Sequence, residues 1–384
     1  MTIHTLEMLE EAEDKILAPY GVHSKNSKGR LYPDNEPGFR TKFQRDRDRI
    51  IHTSAFRRLE YKTQVFINYE GDHYRTRLTH TLEVSQIGRT LARALGANED
   101  LVEAICLAHD LGHSPFGHSG ETTLNRLLND AGGFDHNKQS FRIVTKLENR
   151  YQDFPGLNLS WEVLEGMVKH ESEYDISDAK DFDPDLRGNI EAQIANVADE
   201  LAYTAHDLDD GLRSGLITPK MLSGIELWEI LSENVAYKGG ELDDLIRHIM
   251  IRKLIGMEIS DVLSAAENLI RNNNIRSVEQ VQKLPYNLVI FSEDMTRRNR
   301  QLKDFLYNKL YRNYRVQRMS VKADRLLSQL YQLYMVQPAI LPPHVQEKFD
   351  ESSQERAICD FIAGMTDRYA IDEYNKLFDP TILP

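Results

Sequence analysis

Residues 106–121 read CLAHDLGHSPFGHSGE. An apolar helical run, with Val102, Ile105 and Cys106 on one stripe, delivers His109 and then Asp110 at its end, where Gly112 and Pro115 stop the helix. An imidazole and a carboxylate thus reach one point with no loop between them. A buried aspartate lacking a cation carries a heavy desolvation cost, so the adjacent pair favours a metal-ligand role more than either residue alone.

Two further ligand candidates lie outward from this pair. His80 shares a helical stripe with Val84, Ile87, Leu91 and Leu95, which aims its imidazole at the core. A satisfied core histidine is the alternative for His80 taken by itself. Asp199 stacks at helical spacing with Ala192, Ala195, Tyr203 and His206, and the alanines let that face close around something small. Two imidazoles and two carboxylates make a mixed nitrogen and oxygen set that suits Mn, Fe, Co, Ni or Zn, and Mg less naturally.

Helical periodicity runs through the rest of the chain, with segments expected near 40–59, 76–95, 99–110, 119–129, 186–208 and 225–270, and again from 288 on. Alternating β-branched runs and hairpin turns are nearly absent, so the fold class is all-α. Loops are expected at 111–117, 154–158 and 175–184, the last acidic.

With 384 residues, 41% hydrophobic and 28% charged, the chain has the composition of a globular protein with a sizeable core. The N-terminal MTIHTLEMLEEAEDK lacks the apolar stretch of a signal peptide, and no run is apolar enough to cross a membrane. Cys106 and Cys359 read as core thiols of a reducing compartment, so a cytoplasmic location is expected. A net charge of −13 excludes a protein that is basic all over. Yet Arg40, Lys42, Arg45, Arg47, Arg49, Arg57, Arg58 and Lys62 form a basic island, followed by Arg75 and Arg77. It reads either as a polyanion site or as a helix face of paired charges.

The stretches GDHYRTRLTHTLEVSQIGR (71–89), LAHDLGHSPFGHSGE (107–121), IANVADELAYTAHDLDDG (194–211), LYRNYRVQRM (310–319) and DFIAGMTDRYA (360–370) resemble the HD-domain superfamily. More narrowly, the chain is similar to bacterial deoxynucleoside triphosphate triphosphohydrolases of the dGTPase-like family. The resemblance implies a divalent metal on His80, His109, Asp110 and Asp199, and hydrolysis of a dNTP to deoxynucleoside and tripolyphosphate. His113, His118 and His136 match histidines near the substrate phosphates, and Glu121 the acid paired with His118. Tyr203 and Asp207 match residues around the triphosphate and the 3′-hydroxyl, Arg77 an arginine on the α-phosphate side, and Gln64 a glutamine near sugar and base. Arg58, Arg77 and Lys169 are the candidate phosphate clamps. His170 reads as a surface residue, not a ligand; His206 as a core residue or a support to the ligands.

The resemblance implies an HD-domain helical core at 61–215. A segment carrying the basic island precedes it (1–60), and a helical region packed on it follows (216–384). Homo-oligomers, tetramers or hexamers, belong to the same expectation. An allosteric nucleotide or single-stranded DNA stays open as a partner, with the Tyr/Arg-rich helix around Tyr311 and Tyr314 as support. The alternatives are another HD nucleotide phosphohydrolase and a nucleic-acid-binding protein whose nucleotide site is regulatory.

Overall fold

The computed structural model describes residues 3–36, 38–64, 74–170 and 182–383. Among them no strand occurs; the β-type pairings are two isolated bridges, Arg30 with Ser160 and Thr63 with Thr76. Three helices begin the chain: α1 (Leu6–Ile16), α2 (Lys42–Ile51) and α3 (Ser54–Arg58). Then come α4 (Arg77–Leu95), α5 (Glu99–Ala108), α6 (Gly117–Leu127), α7 (His136–Arg142), α8 (Trp161–Val168) and the long α9 (Ile190–Arg213). The remainder holds α10 (Glu226–Asn234), α11 (Asp244–Asn272), α12 (Val278–Gln282), α13 (Glu293–Leu306), α14 (Tyr314–Val336), α15 (Pro343–Gln346), α16 (Gln354–Ala363) and α17 (Asp367–Phe378). The expected all-α class holds. No described helix is long and apolar enough to cross a membrane. The acidic loop expected at 175–184 lies, through residue 181, outside the described residues.

The centre is the packing of α4 and α5 against α9. Helix α4 starts at Thr76, whose hydroxyl accepts from Thr79 N while the Thr79 side chain reaches back to Thr76 N; it ends at Gly96 in the left-handed region. Its inner stripe, Val84, Ile87, Leu91 and Leu95, is buried as the periodicity requires. Asn98 caps α5 on Leu101 N. The two helices approach closely because Gly88 has no side chain: a Cβ there would stand 2.8 Å from Val102 Cγ1.

The single helix expected at 40–59 is instead two. Thr53 is extended, and its hydroxyl accepts from Phe56 N, so it ends α2 and caps a new helix; the polar run His52-Thr53-Ser54 was the available signal.

Two apolar cores result. The larger joins α2, α4, α5, α8 and α9 with residues as far as Leu310. The smaller packs Phe116, Leu124, Leu128 and Phe134 against Leu327, Leu330, Ile358 and Ile362. Helix α6 thus faces α14 and not α9.

The basic island is mostly internal ion pairing. Arg45 meets Asp34 at 3.1 Å and Glu36 at 2.9 Å, Arg47 meets Asp100 at 3.2 Å, and Arg40 and Arg49 pair with Asp48 and Asp34. The paired-face reading is the one the geometry favours.

One buried acid makes stability depend on pH. Glu258 on α11 is fully buried beside Asn299 of α13, and burial pushes its carboxyl up to about 8 from an ordinary 4.5. Across that window the folded state keeps a proton that the unfolded chain has released. Stability therefore falls as pH rises, and the loss is complete above the folded-state value. Glu258→Gln is expected to match the wild type at pH 4.5 and to exceed it at pH 8 by about 2–4 kcal/mol. Denaturant titrations at both pH values check this; a difference independent of pH would overturn it.

A candidate metal centre and its histidine loop

His80, one turn into α4, His109 and Asp110, just past α5, and Asp199, midway along α9, converge where the three helices meet. One donor atom each from His80, His109 and Asp110 lies within 4.8 Å of the others. His80 Nε2 is 2.9 Å from Asp199 Oδ1; His109 Nε2 is 3.3 Å from Asp110 Oδ1 and 3.5 Å from Asp199 Oδ1.

The remaining ring nitrogens are committed elsewhere, which frees the Nε2 atoms for a cation. His109 Nδ1 bonds Cys106 O at 2.6 Å, while its Nε2 is buried without a hydrogen-bond partner among the described residues. His80 Nδ1 lies 3.2 Å from His206 Nδ1, and His206 Nε2 lies 3.0 Å from Glu83 Oε2. This carboxylate–histidine–histidine chain assigns the His80 proton to Nδ1 and leaves the Nε2 lone pair pointing at Asp199. Burial, with His80 and Arg75 adding to it, holds the His206 pKa well below the ordinary value, as a neutral link requires. Burial opposes the charge on His109, yet Asp110 and Asp199 outweigh it and raise its pKa to about 9. The site therefore favours positive charge at this nitrogen, and the residues fit a divalent metal.

Asp110 also anchors two cationic or polar neighbours. Arg77 Nη1 donates to its Oδ2 at 3.0 Å, and His113 Nε2 lies 3.0 Å from its Oδ1. Burial would raise the carboxyl pKa, but His109, Arg77 and His113 hold it well below the usual range.

The histidine loop is built by close approach. Gly112 N donates to Ser140 Oγ on α7, and a Cβ at Gly112 would stand 2.2 Å from Ser140 N and 2.3 Å from His136 O. Only glycine lets α7 come this near. In consequence the His136 ring stacks on His113, centroids 3.9 Å apart. His136 Nδ1 and its backbone N both bond Glu121 Oε1, at 2.9 and 2.8 Å, and His118 Nδ1 faces the other Glu121 oxygen at 3.5 Å. His118 is half-exposed, whereas His113 and His136 are buried. Phe116, between them, takes the left-handed backbone region at φ 64°.

On α9, Tyr203 stacks on Tyr311 at 6.4 Å and their hydroxyls bond. Burial, reinforced by Asp210, pushes the Asp207 carboxyl well above its ordinary pKa, and both its oxygens lack a hydrogen-bond partner among the described residues. Gln64 is buried beside Gly117, with its Oε1 likewise unmatched there.

Two of the three candidate clamps are turned away from the cluster. Arg58 Nη1 donates to Gly364 O at 3.0 Å, and Lys169 Nζ meets Glu165 at 3.2 Å and Leu186 O at 2.9 Å. Arg77 alone of these stands at the cluster, through Asp110. His170 corrects the surface reading: it is 4% exposed, and its Nε2 lies 3.5 Å from Asp199 Oδ2. Sequence reasoning missed Glu83 and Asp367, and gave Lys62 and Tyr311 other roles, in the basic island and in the Tyr/Arg-rich helix. Lys62 Nζ donates to the carbonyls of His113 and Ala363, and Asp367 accepts from Phe116 N at 2.8 Å and Thr63 N at 2.9 Å. Glu83 had a usable signal, three residues after His80 on one helix; the others are joined to the site only by the fold.

The HD domain family model matches residues 77–204, and the phosphohydrolase-associated domain model matches residues 289–376. Over 378 residues the chain is 52% identical to a deoxyguanosinetriphosphate triphosphohydrolase-like protein of Geobacter sulfurreducens, covering 98% of this chain and 97% of that one. A protein of the same description from Geobacter metallireducens is 52% identical over 95% of each chain. Another, from Ralstonia nicotianae, is 48% identical over 96% of each.

Proposed function

The chain belongs to the deoxyguanosinetriphosphate triphosphohydrolase-like family of HD-domain phosphohydrolases, and on that footing we propose that it hydrolyses deoxynucleoside triphosphates to deoxynucleoside and tripolyphosphate. The observation that carries the reading is the convergence of His80, His109, Asp110 and Asp199, with Asp110 shared by Arg77 and the histidine loop.

In this reading the four residues hold a divalent metal, which supplies Lewis-acid polarisation of phosphate oxygens. Arg77 sets a fixed positive charge beside the same point, where the α-phosphate gathers charge in the transition state. Water attacks the α-phosphorus as the bond to the 5′-oxygen breaks and releases its own proton to solvent; His136, whose Nδ1–H donates to Glu121, gives its Nε2 proton to the leaving 5′-oxygen. His118, at the open side of the same carboxylate, closes over the phosphates, and His113, stacked under His136, fixes the height of that ring. Asp207, whose carboxyl burial pushes toward the protonated form, turns two oxygens to the 3′-hydroxyl, and Gln64 an amide to sugar or base.

In the same reading Tyr203, stacked on Tyr311, bars a 2′-hydroxyl by bulk. Tyr203→Ala is expected to lower the dNTP/NTP ratio of kcat/KM at least tenfold. An unchanged ratio would put the selectivity elsewhere.

Incubation with each dNTP and Mn²⁺ or Mg²⁺, followed by phosphorus NMR, tests the reaction. Tripolyphosphate with free deoxynucleoside is the expected outcome; pyrophosphate or orthophosphate would make it a different HD-type hydrolysis.

A further inference from the structure

Helix α6 carries two of the groups closest to the proposed chemistry, His118 and Glu121, in its first turns. It starts at Phe116, which stands in the left-handed region at φ 64° and supplies no side-chain cap, and Gly117 follows at φ 56°. A residue with a side chain populates that region sparsely, so contacts around it must hold it there.

The holding group comes from far along the chain. Asp367 Oδ1 accepts from Phe116 N at 2.8 Å, across 251 positions of sequence. Its other oxygen accepts from Thr63 N at 2.9 Å and from the Thr63 hydroxyl. Thr366 caps α17 by accepting from Tyr369 N, which makes Asp367 the first residue of that helix, where free N–H groups favour a carboxylate. Asp367 is 2% exposed. Burial raises its pKa, while the donors on Thr63 and Phe116 and the charge of Lys62 pull toward the ionised form. All three bonded partners donate, so both oxygens must accept; an amide in the same place would turn one N–H toward another.

The two backbones that Asp367 grips meet beside Arg77. A Cβ at Gly117 would stand 3.4 Å from Arg77 Nη2 and 3.4 Å from Thr63 O, so the start of α6 lies against both the guanidinium and the Thr63 segment. Farther along the same helix, Glu121 bonds His136 Nδ1 at 2.9 Å. A shift at Phe116 therefore displaces the carboxylate that orients His136. Asp367 itself falls in the stretch matched by the phosphohydrolase-associated domain model, and outside the one matched by the HD domain model.

We propose that Asp367 is a positioning residue: it fixes where α6 begins, and through α6 it places Glu121 and His118 for the reaction. The phosphohydrolase-associated stretch thereby takes part in building the site. The inference rests on the roles given above to Glu121 and His118.

Asp367→Asn is the test, made in the full chain. Its kcat is expected to fall at least tenfold with metal content at the wild-type level, since a small misplacement of a reacting group costs up to about a hundredfold. In a Glu121→Gln background the same substitution is expected to cost no more than threefold, because both changes act through one carboxylate. Losses that simply multiply would mean a merely structural role and would overturn the inference, as would an unchanged kcat in an active enzyme. Hydrogen exchange on the substrate-free chain is expected to speed at least threefold in peptides covering residues 113–118 and to stay unchanged in α5; equal change in both regions, or none in either, would also overturn it. Exchange is read without substrate, so it decides the placement of α6 even where the wild type turns over no dNTP, an outcome that would strike the reaction alone. Should Asp367→Asn fail to fold, Thr63→Val, which removes one donor and keeps the shape, carries the same exchange comparison with a twofold change expected.

Discussion

His109→Ala is expected to lose the bound metal and to reduce dNTP hydrolysis by roughly a thousandfold or more, while the helical content stays at the wild-type level. The imidazole contributes one of three donor atoms within 4.8 Å; its Nδ1 bonds the local carbonyl of Cys106, and its Nε2 faces Asp110 and Asp199. Removing it takes away a ligand, while Asp110 keeps Arg77 and His113 and Asp199 keeps His80 as partners. Asp110→Ala is expected to be equally inactive and also less stable, because Arg77 and His113 lose the carboxylate they share. Breaking a buried ion pair on one side costs about 3–5 kcal/mol. Metal content, turnover and a denaturant titration on both variants separate the two effects. Turnover like the wild type in either variant would remove the metal assignment.

Glu121→Gln is expected to cost roughly 10²–10⁴-fold in kcat with metal content unchanged, the range for losing an oriented proton donor. The amide can still accept from His136 N through its oxygen, so the local fold survives. What disappears is the negative charge on the far side of the His136 ring, which lies 2.9 Å from Nδ1 and stabilises the imidazolium. Burial works against this carboxylate, but His136 and His118 hold its pKa far below the ordinary range, so it is charged at every working pH. His136→Ala is expected to fall as far as Glu121→Gln, and His118→Ala less far, since His118 stands 3.5 Å from Glu121 and is half-exposed. If His118→Ala proved the more damaging, the proton-donor role would pass to His118. The kcat pH profile of each variant, with metal content alongside, decides the order.

Much of this was legible in the sequence because it depends on helical spacing. His80 with Val84 and Ile87, His109 with Ile105, and Asp199 with Ala195 and Tyr203 fall on inward faces whatever packs against them. What the spacing cannot carry is which distant residue closes each contact. Tyr311, just past α13, reaches Tyr203 on α9, and Asp367, at the start of α17, reaches Phe116, just before α6, through contacts between distant segments. His170 lies just beyond the end of α8, where the chain direction and not the period decides burial. The basic island looked unbalanced because its partners, Asp34, Asp100 and Glu103 among them, lie outside the run. Charge alone points to Arg58 and Lys169, and charge does not say which way a long side chain turns.

The smaller core bears on modularity. The stretch that the HD domain family model matches ends at 204 and contains all four candidate ligands. Yet α6, inside that stretch, buries Leu124 and Leu128 against Leu327 and Leu330, more than a hundred residues beyond its end. A fragment cut there would carry every ligand and still expose an apolar helix face, and recombination at that border would transplant chemistry without its support. For this chain the physical unit takes in both cores, and the stretch that carries the candidate ligands does not by itself cover its own apolar faces.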